Sequence, residues 1–188
     1  MELSEIEVKE ILKKNSRQIK SIEKMALNYY SLYSIRYWYS LLSNYPISGF
    51  TIEDLLQIDA LTASISVAYG RLFGKAKAGT TKLDDDILPE MYLSAHNEII
   101  NLRHRKYAHH GEDSALSKSV NPEYINGKFT IELNVEVGFY FGAAKHWAPL
   151  LAWLDEYMNE TLRKNIDSLT KKTGYVWEMP NGPAPKWV

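Results

Sequence analysis

Between Asn101 and Gly111 the chain reads Asn-Leu-Arg-His-Arg-Lys-Tyr-Ala-His-His-Gly. This gathers Arg103, Arg105 and Lys106 with three of the five histidines, His104, His109 and His110. An imidazole titrates near neutrality, so it can take a proton from a hydroxyl or return one to a leaving oxygen. A guanidinium is a permanent, fork-shaped cation suited to a crowded phosphoryl centre. Cleavage of RNA through its own 2′-hydroxyl, without a metal, needs those two groups. The same composition also suits an ordinary solvated helix end, whose dipole attracts cations with no substrate involved.

Helical geometry limits which pair can work. At about 100° per residue, Arg103 and His109 point roughly 120° apart on an unbroken α-helix. His96, Arg103 and His110 instead lie along one stripe, drifting about 20° per step, so periodicity alone selects His110. His109 converges with Arg103 only where the helix loosens near Ala108, or where a symmetric interface assembles the pair from two copies. His96 reads as a hydrogen-bonded, partly buried support for the site. His104, His109, His110, Glu112 and Asp113 contain no i, i+4 histidine clamp and no thiolate, so neither a metal nor a cofactor is expected.

Several elements must position these groups. Ser4 and Glu7 have capping-box spacing, and neither Gly nor Pro occurs from there to Tyr45, which predicts one long helix or two abutting ones. The aromatic stretch from Met25 to Leu42 suggests a helix sandwiched between other elements. Thr51 with Asp54 predicts a second start, and Leu55, Ile58, Leu61, Ile65 and Leu72 keep a helical period to Phe73. Lys75 to Lys82 is a small, basic, glycine-bearing loop. Asp84, Asp85 and Asp86 form a solvated capping run before a third helix from about Pro89 to about Ala108.

Past Gly111 the period changes. Phe129, Ile131, Leu133, Val135 and Val137 alternate with polar residues behind Asn126-Gly127, the type I′ hairpin dipeptide. The apolar face of such a hairpin must lie on the helices or on a second subunit. Helical pattern returns from Phe139 to Thr170, with Pro149 as a kink and Gly174 as a stop. The expected organisation is a single helical domain over residues 1–174, with its hairpin at about 121–137, and a Pro- and Trp-containing tail over residues 175–188.

Composition narrows the class. The 188 residues hold 22 Lys+Arg against 23 Asp+Glu and no cysteine, which excludes disulfide scaffolds, zinc ribbons, iron-sulfur centres and thiolate catalysis. A net charge of -1 gives no whole-protein attraction to a polyanion, so nucleic-acid contact must come from local patches. Residues 71–82, with Arg71, Lys75, Lys77 and Lys82, are one such patch, and residues 103–110 are the other. The charged N-terminus resembles no signal peptide and no uncharged run approaches spanning length, so a soluble cytoplasmic protein without membrane contact is expected.

Arg103, His104 and His109 fit the pattern marking the HEPN superfamily of helical-bundle proteins: an Arg, then Asn, Asp or His, then a His after four to six intervening residues in all. His96-Asn97-Glu98-Ile99-Ile100-Asn101-Leu102-Arg103, leading into Tyr107-Ala108-His109, resembles the motif helix of that superfamily's abortive-infection, phage-defence branch. Tyr69-Gly70-Arg71-Leu72-Phe73 is similar to a second stretch found there. The likeness covers roughly residues 20 to 110 by organisation. His104 stands where Asn is usual in that branch, and Tyr107 sits one place later than the aromatic often found.

The resemblance implies an all-α, up-and-down helical bundle with the hairpin inserted. It also implies a metal-independent endoribonuclease, a homodimer whose motifs from two protomers face one cleft, in phage defence or a toxin-antitoxin-like system. Arg103 would hold the scissile phosphate, His109 would be the acid/base and His104 would position one of them. Arg105, Lys106, His110, His96 and Arg71 would serve the bound RNA. Members without cleavage bind RNA, nucleotides or proteins, so the alternative is a non-catalytic module, with an antitoxin-like protein among its partners.

Overall fold

The computed structural model describes residues 3–46, 51–73, 82–107, 116–137 and 145–179. The first capping box forms: the Ser4 hydroxyl accepts from the Glu7 N–H, and the Glu7 carboxylate accepts from the Ser4 N–H at 2.9 Å. From it α1 runs Glu5–Lys14. Asn15 (φ -107°, ψ 9°) leaves helical geometry for one residue, its side-chain amide donating to the Ile11 carbonyl at 2.8 Å. Then α2 follows at once as Ser16–Ser43, so the sequence yields two abutting helices.

Thr51 and Asp54 make the second capping box, from which α3 runs Ile52–Leu72. Tyr45 donates to Asp54 at 2.7 Å and ties the end of the preceding segment to this start. The Lys82 ammonium donates to the Phe73 carbonyl at 3.1 Å, placing a cation on the negative end of α3. Beside it the Leu83 N–H donates to the Leu72 carbonyl at 2.7 Å. The acidic run forms a 3-10 turn, Asp85–Ile87, capped by the Asp84 side chain. A second 3-10 turn, Glu90–Tyr92, leads into α4, Leu93–Leu102. That helix does not continue as α to Ala108: Arg103–Tyr107 form a wider π turn.

Within the hairpin, β1 (Leu116–Ile125) pairs antiparallel with β2 (Lys128–Val137), from Ile125 opposite Lys128 to Leu116 opposite Val137. Asn126 (φ 51°) and Gly127 (φ 78°) both take the left-handed conformation that a type I′ turn requires. The hairpin starts earlier than the expected residue 121, because Pro122 inside β1 masks the strand pattern. Phe129 and Ile131 are 81% and 66% exposed, so these two side chains do not lie on the helices.

Helix α5 spans Ala148–Thr173 with Pro149 in its first turn. There the missing N–H is one that no carbonyl would have received, so Pro149 starts this helix instead of kinking it. Residues 139–144, where a helical pattern was expected, lie outside the described residues. Gly174 (φ 75°) ends α5 with its N–H on the Thr170 carbonyl at 2.9 Å. The described part of the tail turns back: the Trp177 indole donates to the Thr173 hydroxyl at 2.9 Å. Pro180, Gly182, Pro183, Pro185 and Trp187 lie outside the described residues.

Gln18 reaches the Asn165 carbonyl and Arg36 reaches Asp155, so α5 runs antiparallel to α2. Tyr69 meets His96 while Asp59 meets Lys106, so α4 runs antiparallel to α3. One core joins α2, α3, α4 and α5 through Leu32, Ile35, Ile65, Leu72, Ile99, Leu154 and Met158, with Trp147 entirely buried among them. Each such aliphatic side chain contributes about 1.5–3 kcal/mol over its exposed state. The aromatic helix α2 packs against both α3 and α5, while one stripe of it stays open, with Leu27 and Tyr30 65% and 74% exposed. Among the described residues no helix is long and apolar enough to cross a membrane.

Candidate functional site

The C-terminal half of α3 is the wall against which α4 is set. Tyr69 is completely buried, and its hydroxyl meets His96 Nδ1 at 2.9 Å. Phe73 packs its ring edge-on to the same imidazole, with centroids 4.8 Å apart. On the other side of the ring, Nε2 lies 3.7 Å from a carboxylate oxygen of Asp85. His96 is thus a buried, hydrogen-bonded side chain, held between a hydroxyl and an acid at the surface. Burial pushes its pKa below the usual histidine value while Asp85 pulls in the opposite direction. Burial also raises the Tyr69 phenol far above its ordinary value, so it stays protonated.

Immediately after α4, the Arg103 side chain crosses Gly70. A Cβ placed on Gly70 would sit 2.6 Å from Arg103 Nε, closer than real Cβ atoms approach, and 3.2 Å from Cζ. Any larger residue at position 70 therefore displaces the guanidinium. His96 and Arg103 face α3 together, consistent with their seven-residue spacing. Half-buried in this way, the guanidinium is partly shielded from water, where its attraction for an anion is stronger than at an open surface.

The wide turn begins at Arg103. Two consecutive residues within it converge on one atom: Lys106 Nζ lies 2.5 Å, and the Tyr107 hydroxyl 2.9 Å, from the same carboxylate oxygen of Asp59 on α3. The ammonium also lies 5.3 Å from the centre of the Tyr107 ring, within cation–π range. Of the expected substrate-side cations, Lys106 is therefore committed to Asp59, whereas His104 and Arg105 are exposed on the turn and Arg71 is exposed at the end of α3. His109 and His110, like Lys75 and Lys77, lie outside the described residues. The stripe that selected His110 assumed an unbroken α-helix, and a π turn alters the angular phase of whatever follows it.

A second polar group adjoins α4. Glu98 accepts from His146 and from the Trp147 indole N–H, the latter at 3.3 Å. This contact seats the start of α5 on α4. The described residues contain no cluster of three or more His, Asp or Glu arranged to hold a metal ion. Asp59 escapes a reading by motif, and the Tyr69–Phe73 stretch that contains Gly70 does not by itself reveal its fit to Arg103. The signal for Asp59 is that it is the single charged residue between Leu55 and Gly70, in a helix otherwise suited to burial. No known family, no curated protein and no solved structure matches the chain.

Proposed function

We propose that this chain is a metal-independent endoribonuclease of HEPN-like architecture. In this reading Arg103 grips the scissile phosphate, and His109, positioned with His104, moves the protons of 2′-hydroxyl transesterification. The bundle acts as a homodimer whose two copies of α4 and its wide turn face one cleft, in phage defence or a toxin-antitoxin-like setting, in the cytoplasm. One observation carries the proposal. The two stretches with likeness to the abortive-infection branch, Tyr69–Phe73 and His96–Arg103, lie far apart in sequence but in direct contact, through Gly70 with Arg103 and through Tyr69 and Phe73 with His96. A second support is chemical: a partly desolvated guanidinium beside an exposed His104 and Arg105 suits a phosphodiester.

The reading is tested by incubating purified protein with RNA in EDTA. RNA is cut to products ending in 2′,3′-cyclic phosphate, DNA is not, and both Arg103→Ala and His109→Ala lose cleavage. Full activity retained by either variant would refute the assignment. The exposed His104 and Arg105 also favour a second reading, a binding module without catalysis. That reading gives salt-dependent RNA retention without product, weakened by Arg105→Ala.

A further inference from the structure

We propose that Asp59 is a register lock: by holding Lys106 and Tyr107 on one carboxylate oxygen it keeps Arg103–Tyr107 in the wide turn, and so sets the direction in which the cationic end of α4 is presented. The inference rests on the nuclease reading for its functional consequence, but not for its structural content. The physical argument starts from the turn itself. A π turn is a rare departure from the α-helix that adds about one residue per turn and recurs at functional sites. Left to itself, the backbone relaxes to α geometry, and everything beyond the turn then rotates by about 100°.

Something outside the helix must oppose that relaxation, and Asp59 has the required geometry. The side chains of Lys106 and Tyr107 leave the helix in different directions, yet both reach the same oxygen, at 2.5 Å and 2.9 Å. The Lys106 side chain is only 14% exposed and that of Asp59 29%, so water screens the pair weakly. At the other end of the turn, the Arg103 side chain is seated over Gly70. Both contacts are made by α3, eleven residues apart on one rigid helix, which makes α3 the template for the turn. Asp59 is a positioning residue, acting on phosphate only through the turn it holds. Displacement of a phosphate-holding group by about 1 Å costs about a hundredfold in rate.

The test compares wild type, Asp59→Asn, Asp59→Ala and the reciprocal double variant Lys106→Met/Tyr107→Phe. Two readouts are used: backbone and Arg side-chain NMR resonances of residues 103–107, and RNA cleavage. The variants are expected to keep the resonances of α2 and α5 while shifting those of 103–107 toward α-helical values. Cleavage falls ten- to a hundredfold in Asp59→Ala and less in Asp59→Asn, which retains an acceptor oxygen. Unchanged resonances at 103–107 in Asp59→Asn and in the double variant overturn the lock whatever the activity. A wild type that cuts no RNA overturns the nuclease reading and leaves the resonance result to decide the lock. Shifted resonances with undiminished cleavage overturn the functional half of the inference.

Discussion

Arg103 occupies the space that a side chain at Gly70 would fill. The smallest residue of α3 thereby receives the guanidinium that opens the wide turn after α4. This fit makes glycine at position 70 a condition of the placement of Arg103, in the last turn of α3, where glycine costs at most about 1 kcal/mol relative to alanine.

Gly70→Ala is therefore expected to displace Arg103 while leaving the fold in place. Overpacking costs about 1–3 kcal/mol, partly offset by the better helix propensity of alanine. Urea denaturation should show a net loss of about 0–2 kcal/mol. On the proposed nuclease reading, RNA binding should fall as far as in Arg103→Ala, and unchanged binding in Gly70→Ala would show that the seat is dispensable.

The buried imidazole of His96 gives a pH dependence with a definite sign. Its pKa is lowered in the fold, so the unfolded chain binds more protons, and stability falls as pH drops below the ordinary histidine value of 6.5. Above that value this contribution is fully present. Asp85→Asn removes the group that favours the proton, so the His96 pKa should fall further in an NMR titration. A rise on that substitution contradicts the assigned environment.

Asp155 accepts from Tyr29 at 3.0 Å and from Arg36 at 2.7 Å, binding α5 to α2. Asp155→Ala leaves a largely covered guanidinium without its acid and should destabilise the protein by about 2–3 kcal/mol in urea titration. Burial, aided by Asp155 and opposed by Asn159, pushes the Tyr29 phenol up to about 12. The same variant should bring that value down, measurable on selectively labelled tyrosine.

Both capping boxes depend on an ionised acid. Glu7 is held below its ordinary 4.5 first by the Ser4 hydroxyl, and Asp54 below 3.8 first by the Thr51 N–H. Depressed values mean that the caps are intact above those ordinary values and lost as pH falls through the folded ones. Circular dichroism on acidification should show helix ends fraying there, with Glu7→Gln and Asp54→Asn reducing the effect. Identical acid profiles for these variants and wild type argue against the caps.

Much of the fold was legible where one residue decides one local geometry. Ser4 with Glu7 and Thr51 with Asp54 start helices, Gly174 stops one, and Asn126-Gly127 turns the hairpin, because each satisfies a backbone requirement on its own. The shared face of His96 and Arg103 was also legible, from their spacing. Features that depend on two distant segments were not. The wide turn contains neither Gly nor Pro, and the carboxylate that its Lys106 and Tyr107 reach belongs to Asp59, forty-seven residues from Lys106. Tyr69 and His96 are separated by twenty-seven residues, so neither predicts the other. Pro149 was misread because proline at a helix start and proline within one look alike until the start is known.

Helix α1 buries none of its side chains, and Ile6 stays 72% exposed. Its ten residues are held by a cap and by their own backbone bonds, too few turns for lasting order in water. Among the described helices it should exchange its amide hydrogens soonest, and tryptic cleavage after Lys13 or Lys14 should leave a product that melts almost as the intact chain does.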